Sequence, residues 1–170
     1  MMNNILFKLA MITLLFQLSL QAKEKEIVID ISSQKAYAME DGYIVFEGRI
    51  STGKKGRETP NGIYSIMQKK RHHVSNLWPK PSGGAKMPYM MRLTNSGIAM
   101  HQGYVARGPA SHGCIRLGKS FARKMYKWAR VGTTVYVEGD LYEYYEYSRP
   151  IRGGKSNRYK DDYAVIESDL

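Results

Sequence analysis

The chain has 170 residues, 43% of them hydrophobic, which is enough for one domain with a real core and too few for two comfortable ones; disorder of the whole chain is excluded. Its formal net charge of +11 points to polyanionic partners, although charge alone does not choose among nucleic acid, anionic lipid and acidic wall polymers. A single cysteine excludes an internal disulfide.

Met1 to Ala22 reads as a secretory signal peptide. Lys8 is its lone basic residue, an apolar run from Leu9 to Leu20 follows, and Ala22 precedes the charged Lys23-Glu24-Lys25-Glu26. The apolar run falls short of the ~20 residues of a membrane span. The expected location is the periplasm or cell envelope, with an uncleaved anchor, and hence membrane proximity, as the alternative. In an oxidising compartment the lone Cys114 is a buried small hydrophobe, an intermolecular link or a reactive thiol.

From Glu26 the chain reads as short strands between turn signals. Glu26 to Ile31 is rich in β-branched residues, and Gln34 to Met39 is its expected hairpin partner across Ser32-Ser33. Asp41-Gly42 marks a second hairpin, and a strand from Tyr43 runs on towards Ile50. Gly53 to Thr59 is an expected loop, Pro60-Asn61-Gly62 a turn, and Ile63 to Met67 a strand. Lys69 to Pro88, with its Lys-Lys-Arg-His-His run, Trp78 and Gly83-Gly84, is expected to be a long irregular loop over the fold. Tyr89 to Thr94 and Gly97 to His101 read as strands joined at Asn95-Ser96. Phe121, Met125 and Trp128 make one apolar stripe on a helix from about Lys119 to Arg130, with Arg123, Lys124, Lys127 and Arg130 on its outer face. Gly132 ends it, and Thr133 to Val137 is a buried strand. The expected fold is mainly β, a sandwich or barrel-like arrangement with one principal α-helix, over residues 23–140. Residues 141–170 form a Tyr-rich C-terminal extension.

The chemistry-bearing segment runs from Gly97 to Leu117. His101, Ser111, His112, Gly113, Cys114 and Arg116 all lie within it. A thiol needs a nearby base to become a thiolate at neutral pH, since free Cys titrates near ~8.5. A His at the end of a strand supplies such a base. Backbone N–H groups around Gly113 suit an oxyanion, and Arg116 suits a carboxylate. A thiol activated in this way is expected to be alkylated selectively near neutral pH.

Ser111-His112-Gly113-Cys114-Ile115-Arg116, preceded by a strand ending in His101, resembles the signature of the L,D-transpeptidase catalytic domain (YkuD-type) family. The resemblance extends from about Ile27 to Val137 and includes Thr59-Pro60-Asn61-Gly62, Met87-Pro88-Tyr89-Met90 and Ser96 to His101. It implies a β-sandwich with Cys and His at one end. By that resemblance Cys114 is the nucleophile that forms a thioester acyl-enzyme. His101 takes the thiol proton, its ring oriented through the other nitrogen by a backbone carbonyl. His112 positions groups in the site. The amides of His112, Gly113 and Cys114 form the oxyanion hole, while Ser111 and Arg116 shape the site and the substrate's carboxylate end. The implied partners are peptidoglycan peptide stems, with no cofactor. The implied reaction cleaves the bond between an L-centre and the terminal D-residue of a tetrapeptide, releasing D-Ala. An amine of a second stem then makes a cross-link; water in its place makes the enzyme an L,D-carboxypeptidase. Nine residues separate His101 from Ser111, fewer than in many members, which bears on the shape of the cleft.

Two rival readings stand beside this one. His72, His73, His101, His112 and Cys114 are possible metal ligands, although no second Cys exists. Alternatively Lys69 to His73, Trp78 and the basic helix face belong to a non-catalytic wall-binding module; a signal peptide argues against nucleic acid.

Overall fold

Alternation of aliphatic residues sets the first strands. In the computed structural model, which describes residues 23–80 and 83–141 (side chains at 77–80 excepted), Ile27 and Ile29 of β1 (Lys25–Asp30) are fully buried. The expected signal segment, the side chain of Trp78 and the extension from Tyr142 onward lie outside the described residues. β2 (Lys35–Glu40) runs antiparallel beside β1, setting Ala38 against Ile27 and Ala36 against Ile29. Asp41 and Gly42 both take positive φ, 52° and 82°, as a tight two-residue hairpin turn requires, and lead into β3 (Tyr43–Ser51).

β3 joins the two halves of the sheet. Its Tyr43–Arg49 portion pairs with β2, whereas Ile50 and Ser51 pair with β10 (Ile115–Leu117). Beyond β10 lie β9 (Ala99–Gln102), parallel to it, then β8 (Met90–Arg92) and β5 (Gln68–Lys70). On the other side of β1, β11 (Thr134–Glu138) runs parallel to it and β4 (Gly62–Ser65) forms the edge. The nine strands follow the order β4-β11-β1-β2-β3-β10-β9-β8-β5.

The two edge strands, β4 and β5, are consecutive in the chain. Between them the Ile66 N–H donates to the Thr133 carbonyl of one half, and the Met67 N–H to the Arg92 carbonyl of the other. One core contains Ile27 and Val135 from the first half, Met91, Met100 and Leu117 from the second, and Ala122 and Met125 from the helix. A single sheet supplies one core from both halves only by curling around it, the barrel-like form expected from sequence.

Helix α1 (Lys119–Trp128) fills the curl. Met125 is fully buried while Arg123, Lys124, Lys127 and Arg130 are exposed, as the apolar stripe predicts. It ends at Trp128, two residues before the expected Arg130, where Ala129 turns to extended backbone at φ −71° and ψ 153°. Lys25 Nζ donates to the Trp128 carbonyl, and Lys69 Nζ donates to those of Tyr126 and Ala129.

The expected irregular loop from Lys69 to Pro88 is corrected. After β5 it forms a hairpin of β6 (Val74–Lys80) and β7 (Gly83–Lys86), apart from the main sheet. Its base is closed by the Met87 N–H donating to the His73 carbonyl at 2.8 Å and the Tyr89 N–H to that of Arg71 at 2.9 Å. A two-stranded ribbon has two edges and little core, so Pro79 is tolerated and no hydrophobic period announces it. The strand β10 was not anticipated, and the expected strand Ile63–Met67 stops at Ser65.

Gly48 is where α1 and β3 meet most closely. A Cβ there would stand 2.7 Å from the Phe121 ring. That ring packs edge-on against Phe46, which also meets Trp128 at 5.5 Å between centroids. Gly48→Ala should therefore lower unfolding stability by about 1–3 kcal/mol through overpacking. An unchanged denaturant midpoint would show that Phe121 moves aside without cost.

Candidate active site

Strand register brings Cys114 and His101 to one face. β9 and β10 run parallel with Met100 opposite Ile115 and His101 opposite Arg116. Side chains alternate along a strand, so Met100, Ile115 and Leu117 enter the core, where all three are fully buried. Ala99, His101, Cys114 and Arg116 take the opposite face. There Met87, Met90 and Ala99 form a second apolar cluster, and Cys114 packs against it.

The turn that presents Cys114 is pinned from below. Ser111, 1% exposed, donates its N–H to the Thr52 carbonyl at 2.9 Å, and its own carbonyl accepts from the Lys54 N–H at 3.1 Å. Its hydroxyl donates to the Cys114 carbonyl and accepts from the Gly113 N–H at 3.1 Å. Gly113 has φ +108°, and a Cβ there would lie 2.8 Å from Ile98 Cδ1. The Gly113 carbonyl accepts from the Thr59 hydroxyl at 2.8 Å, while that hydroxyl accepts from the Gly53 N–H at 2.9 Å. Further back, the Gln34 carboxamide donates to Thr52 Oγ1 and accepts from the Thr52 N–H. Sequence reasoning read Thr59 only as part of a turn and gave Gln34 and Thr52 no role. Their spacing along the chain carries no signal of contact.

The Cys114 thiol donates to the Gly97 carbonyl at 3.7 Å. Burial pushes its pKa above the ordinary thiol value, outweighing the Ala99 N–H and the Arg116 charge, which act the other way. His101 Nδ1 lies 2.8 Å from the Gln102 carbonyl. A carbonyl only accepts, so Nδ1 carries the proton and Nε2 is left as an acceptor. Burial holds the His101 pKa below the usual imidazole range despite that bond, and the charges of Arg116 and His73 push it the same way. Both groups are therefore neutral at pH 7. Burial thus works against the alkylation near neutral pH that the motif leads one to expect.

The other expected site residues fall around this pair. Gly113 and Ser111 are buried in the turn. His112, in contrast, is exposed on the solvent side of that turn. Desolvation, and then the positive charges of Lys54, Arg57 and Arg116, lower its pKa. Arg116 is half-buried and lies along Gly103, where an added Cβ would meet its stem at 3.1 Å. Among the described residues no three His, Cys, Asp or Glu side chains come together as metal ligands.

Residues 24–137 match the L,D-transpeptidase catalytic domain (YkuD) family. Solved structures share the fold. An L,D-transpeptidase from Stackebrandtia nassauensis is 30% identical, with a TM-score of 0.63 over 69% of this chain and 57% of its own. An L,D-transpeptidase from Mycobacterium smegmatis is 25% identical, with a TM-score of 0.64 over 69% of this chain and 60% of its own. Another L,D-transpeptidase, solved in complex with imipenem, is 26% identical, with a TM-score of 0.63 over 69% of this chain and 60% of its own. The chain thus spans less than two thirds of the length of these relatives. No curated protein sequence matches it.

Two outcomes follow from this geometry. Thr59→Val, which keeps the shape but removes the hydroxyl, leaves a buried N–H and a buried carbonyl unpaired. It should cost about 1–3 kcal/mol in a denaturant titration; a change near zero would mean the turn is held without it. Alkylation of Cys114 by iodoacetamide should accelerate as pH rises past the ordinary thiol value of ~8.5, because a raised pKa delays thiolate formation. A rate already level at pH 7 would instead reveal a preformed thiolate.

Proposed function

Because the chain belongs to the L,D-transpeptidase catalytic-domain family, we propose that it is a peptidoglycan acyltransferase that works through Cys114. The reading is carried by the His101–Gln102 hydrogen bond, which leaves Nε2 unprotonated on the strand face shared with Cys114. Cys114 Sγ attacks the carbonyl carbon between the L-centre and the terminal D-Ala of a tetrapeptide stem. His101 Nε2 takes the thiol proton as the C–S bond forms. Starting from a neutral pair, charge develops only during attack, and Arg116 stands near the thiol to favour it.

The oxyanion is held by the backbone N–H groups of His112 and Cys114, on the turn fixed by Ser111 and Thr59; the expected third donor is corrected, because the Gly113 N–H is already given to the Ser111 hydroxyl. The imidazolium returns its proton to the departing D-Ala amine as the C–N bond breaks, and a thioester remains on Cys114. An amine from a second stem attacks the thioester with His101 as base; the C–S bond breaks, the thiol regains a proton and a cross-link results. Arg116 binds the carboxylate end of the donor stem, and Ser111 shapes the site. His112 contributes from the rim, consistent with its exposure. Met1 to Ala22 directs the chain to the periplasm or cell envelope, where the net charge of the part after it, +10 once Lys8 is removed from the +11, favours an anionic wall.

Incubation with disaccharide-tetrapeptides, read by chromatography and mass spectrometry, tests the proposal. Cross-linked dimers lacking one D-Ala are expected, absent with Cys114→Ala. His101→Gln should lower kcat/KM by about 10²–10⁴-fold, the usual contribution of a general base. Tripeptides without dimers would make the enzyme an L,D-carboxypeptidase. Binding with no Cys114-dependent product would leave a non-catalytic wall-binding module.

A further inference from the structure

Charge is distributed unevenly between the two halves of the sheet. Between Thr59 and Val137 the chain has thirteen Lys and Arg residues and no Asp or Glu. The ion pairs of Lys23 and Lys25 with Glu40 and of Lys35 with Glu47 all lie in the first half. The half that carries Cys114 has no carboxylate of its own to meet its cations.

Register gathers some of these cations on the site face. Arg92 of β8 lies opposite Ala99, and Lys70 of β5 lies opposite Met90. Ala99 shares the face of His101 and Cys114, so Arg92 does too, and Met90 belongs to the apolar cluster beside Cys114. Lys69, one residue along, takes the opposite face and reaches the helix carbonyls, as the alternation requires. His73, half-buried after β5, completes the group. Burial lowers its pKa first, followed by the charges of Lys70 and Arg92, and His73 in turn depresses His101. Among the described residues neither Lys70 nor Arg92 is within ion-pair distance of a carboxylate. Like charges held together in this way repel, and an anion brought by a ligand relieves the repulsion.

We infer that Lys70, His73 and Arg92 form a second carboxylate subsite, separate from Arg116, that selects stems with a free carboxylate on the side chain of the acyl-donor residue. The inference rests on the function proposed above. Arg92 stands two strands from Cys114, about 10 Å at the usual spacing of about 4.8 Å. A stem with its scissile carbonyl at Cys114 and its terminal carboxylate near Arg116 extends its donor side chain over β9. A carboxylate at the end of a long side chain there reaches Arg92 and Lys70, and the Arg fork suits it. Amidation would remove the charge and leave the cations unmet.

The test compares two disaccharide-tetrapeptides that differ only in amidation of that side-chain carboxylate, using the full chain, Arg92→Gln and Lys70→Gln. The unmodified enzyme should favour the free acid. Arg92→Gln should reduce kcat/KM for the acid by about 10- to 100-fold, as for loss of one charged hydrogen bond, mainly through KM, and leave the amide nearly unchanged. Exposed Lys70→Gln, which alters no core contact, should do the same more weakly. Equal use of both stems by the unmodified enzyme, or equal losses on both stems in both variants, would overturn the subsite while leaving the acyltransferase intact. Failure of the unmodified enzyme to turn over either stem would overturn the proposed function, and the subsite with it.

Discussion

The hydroxyl of Thr59 is the contact on which the site depends. It accepts a hydrogen bond from the Gly53 N–H and donates one to the Gly113 carbonyl, so the loop from Gly53 to Thr59 and the distant turn at Gly113 meet at one buried atom. Behind it, Gln34 holds Thr52, and the Thr52 carbonyl holds the Ala110 and Ser111 N–H groups. A continuous polar chain therefore runs from the first hairpin to the turn before Cys114. Buried polar groups joined in this way favour one geometry, because each loses its partner if the turn shifts. Gly113, at a φ that disfavours a side chain and against Ile98, completes the constraint.

Burial does two things at once at the site. It packs Cys114 against Met87, Met90 and Ala99, and it keeps both the thiol and the imidazole uncharged. A preformed ion pair on this face would have to be desolvated; a neutral pair is not charged until reaction begins. The positive charge nearby then favours the thiolate and oxyanion that develop. The same charge distribution leaves the site-bearing half of the sheet open to anions, while the first half satisfies its lysines internally.

The curled sheet and the helix hold one another in place. Consecutive edge strands close the curl through Ile66 and Met67, and α1 occupies the space within. Lysines from opposite parts of the sheet, Lys25 and Lys69, meet the carbonyls at the end of the helix, where its dipole is negative. Lys25 and Lys69 also stand over the rings of Trp128 and Tyr126, at 4.9 and 4.5 Å. The helix is thus tied to both halves by charge as well as by burial. That arrangement fixes the position of β9 and β10 and, through them, of His101 and Cys114.

The sequence by itself determined the β-rich class, the two N-terminal hairpins, the helix and its buried face, and the segment that carries His101 and Cys114. Each is encoded locally, by a two-residue or 3.6-residue period, a turn dipeptide or a short motif. Only the tertiary structure decided that β6 and β7 form a hairpin, because a ribbon outside the core leaves no hydrophobic period. It also decided that β10 is a strand of three residues, too short to show alternation. The partnership of Thr59 with Gly53 and Gly113, the shared face of Lys70, Arg92 and His101, and the burial that pushes the Cys114 thiol up are likewise tertiary. They arise from strand pairing between distant positions and from burial, which a residue acquires only when the whole sheet has closed around it.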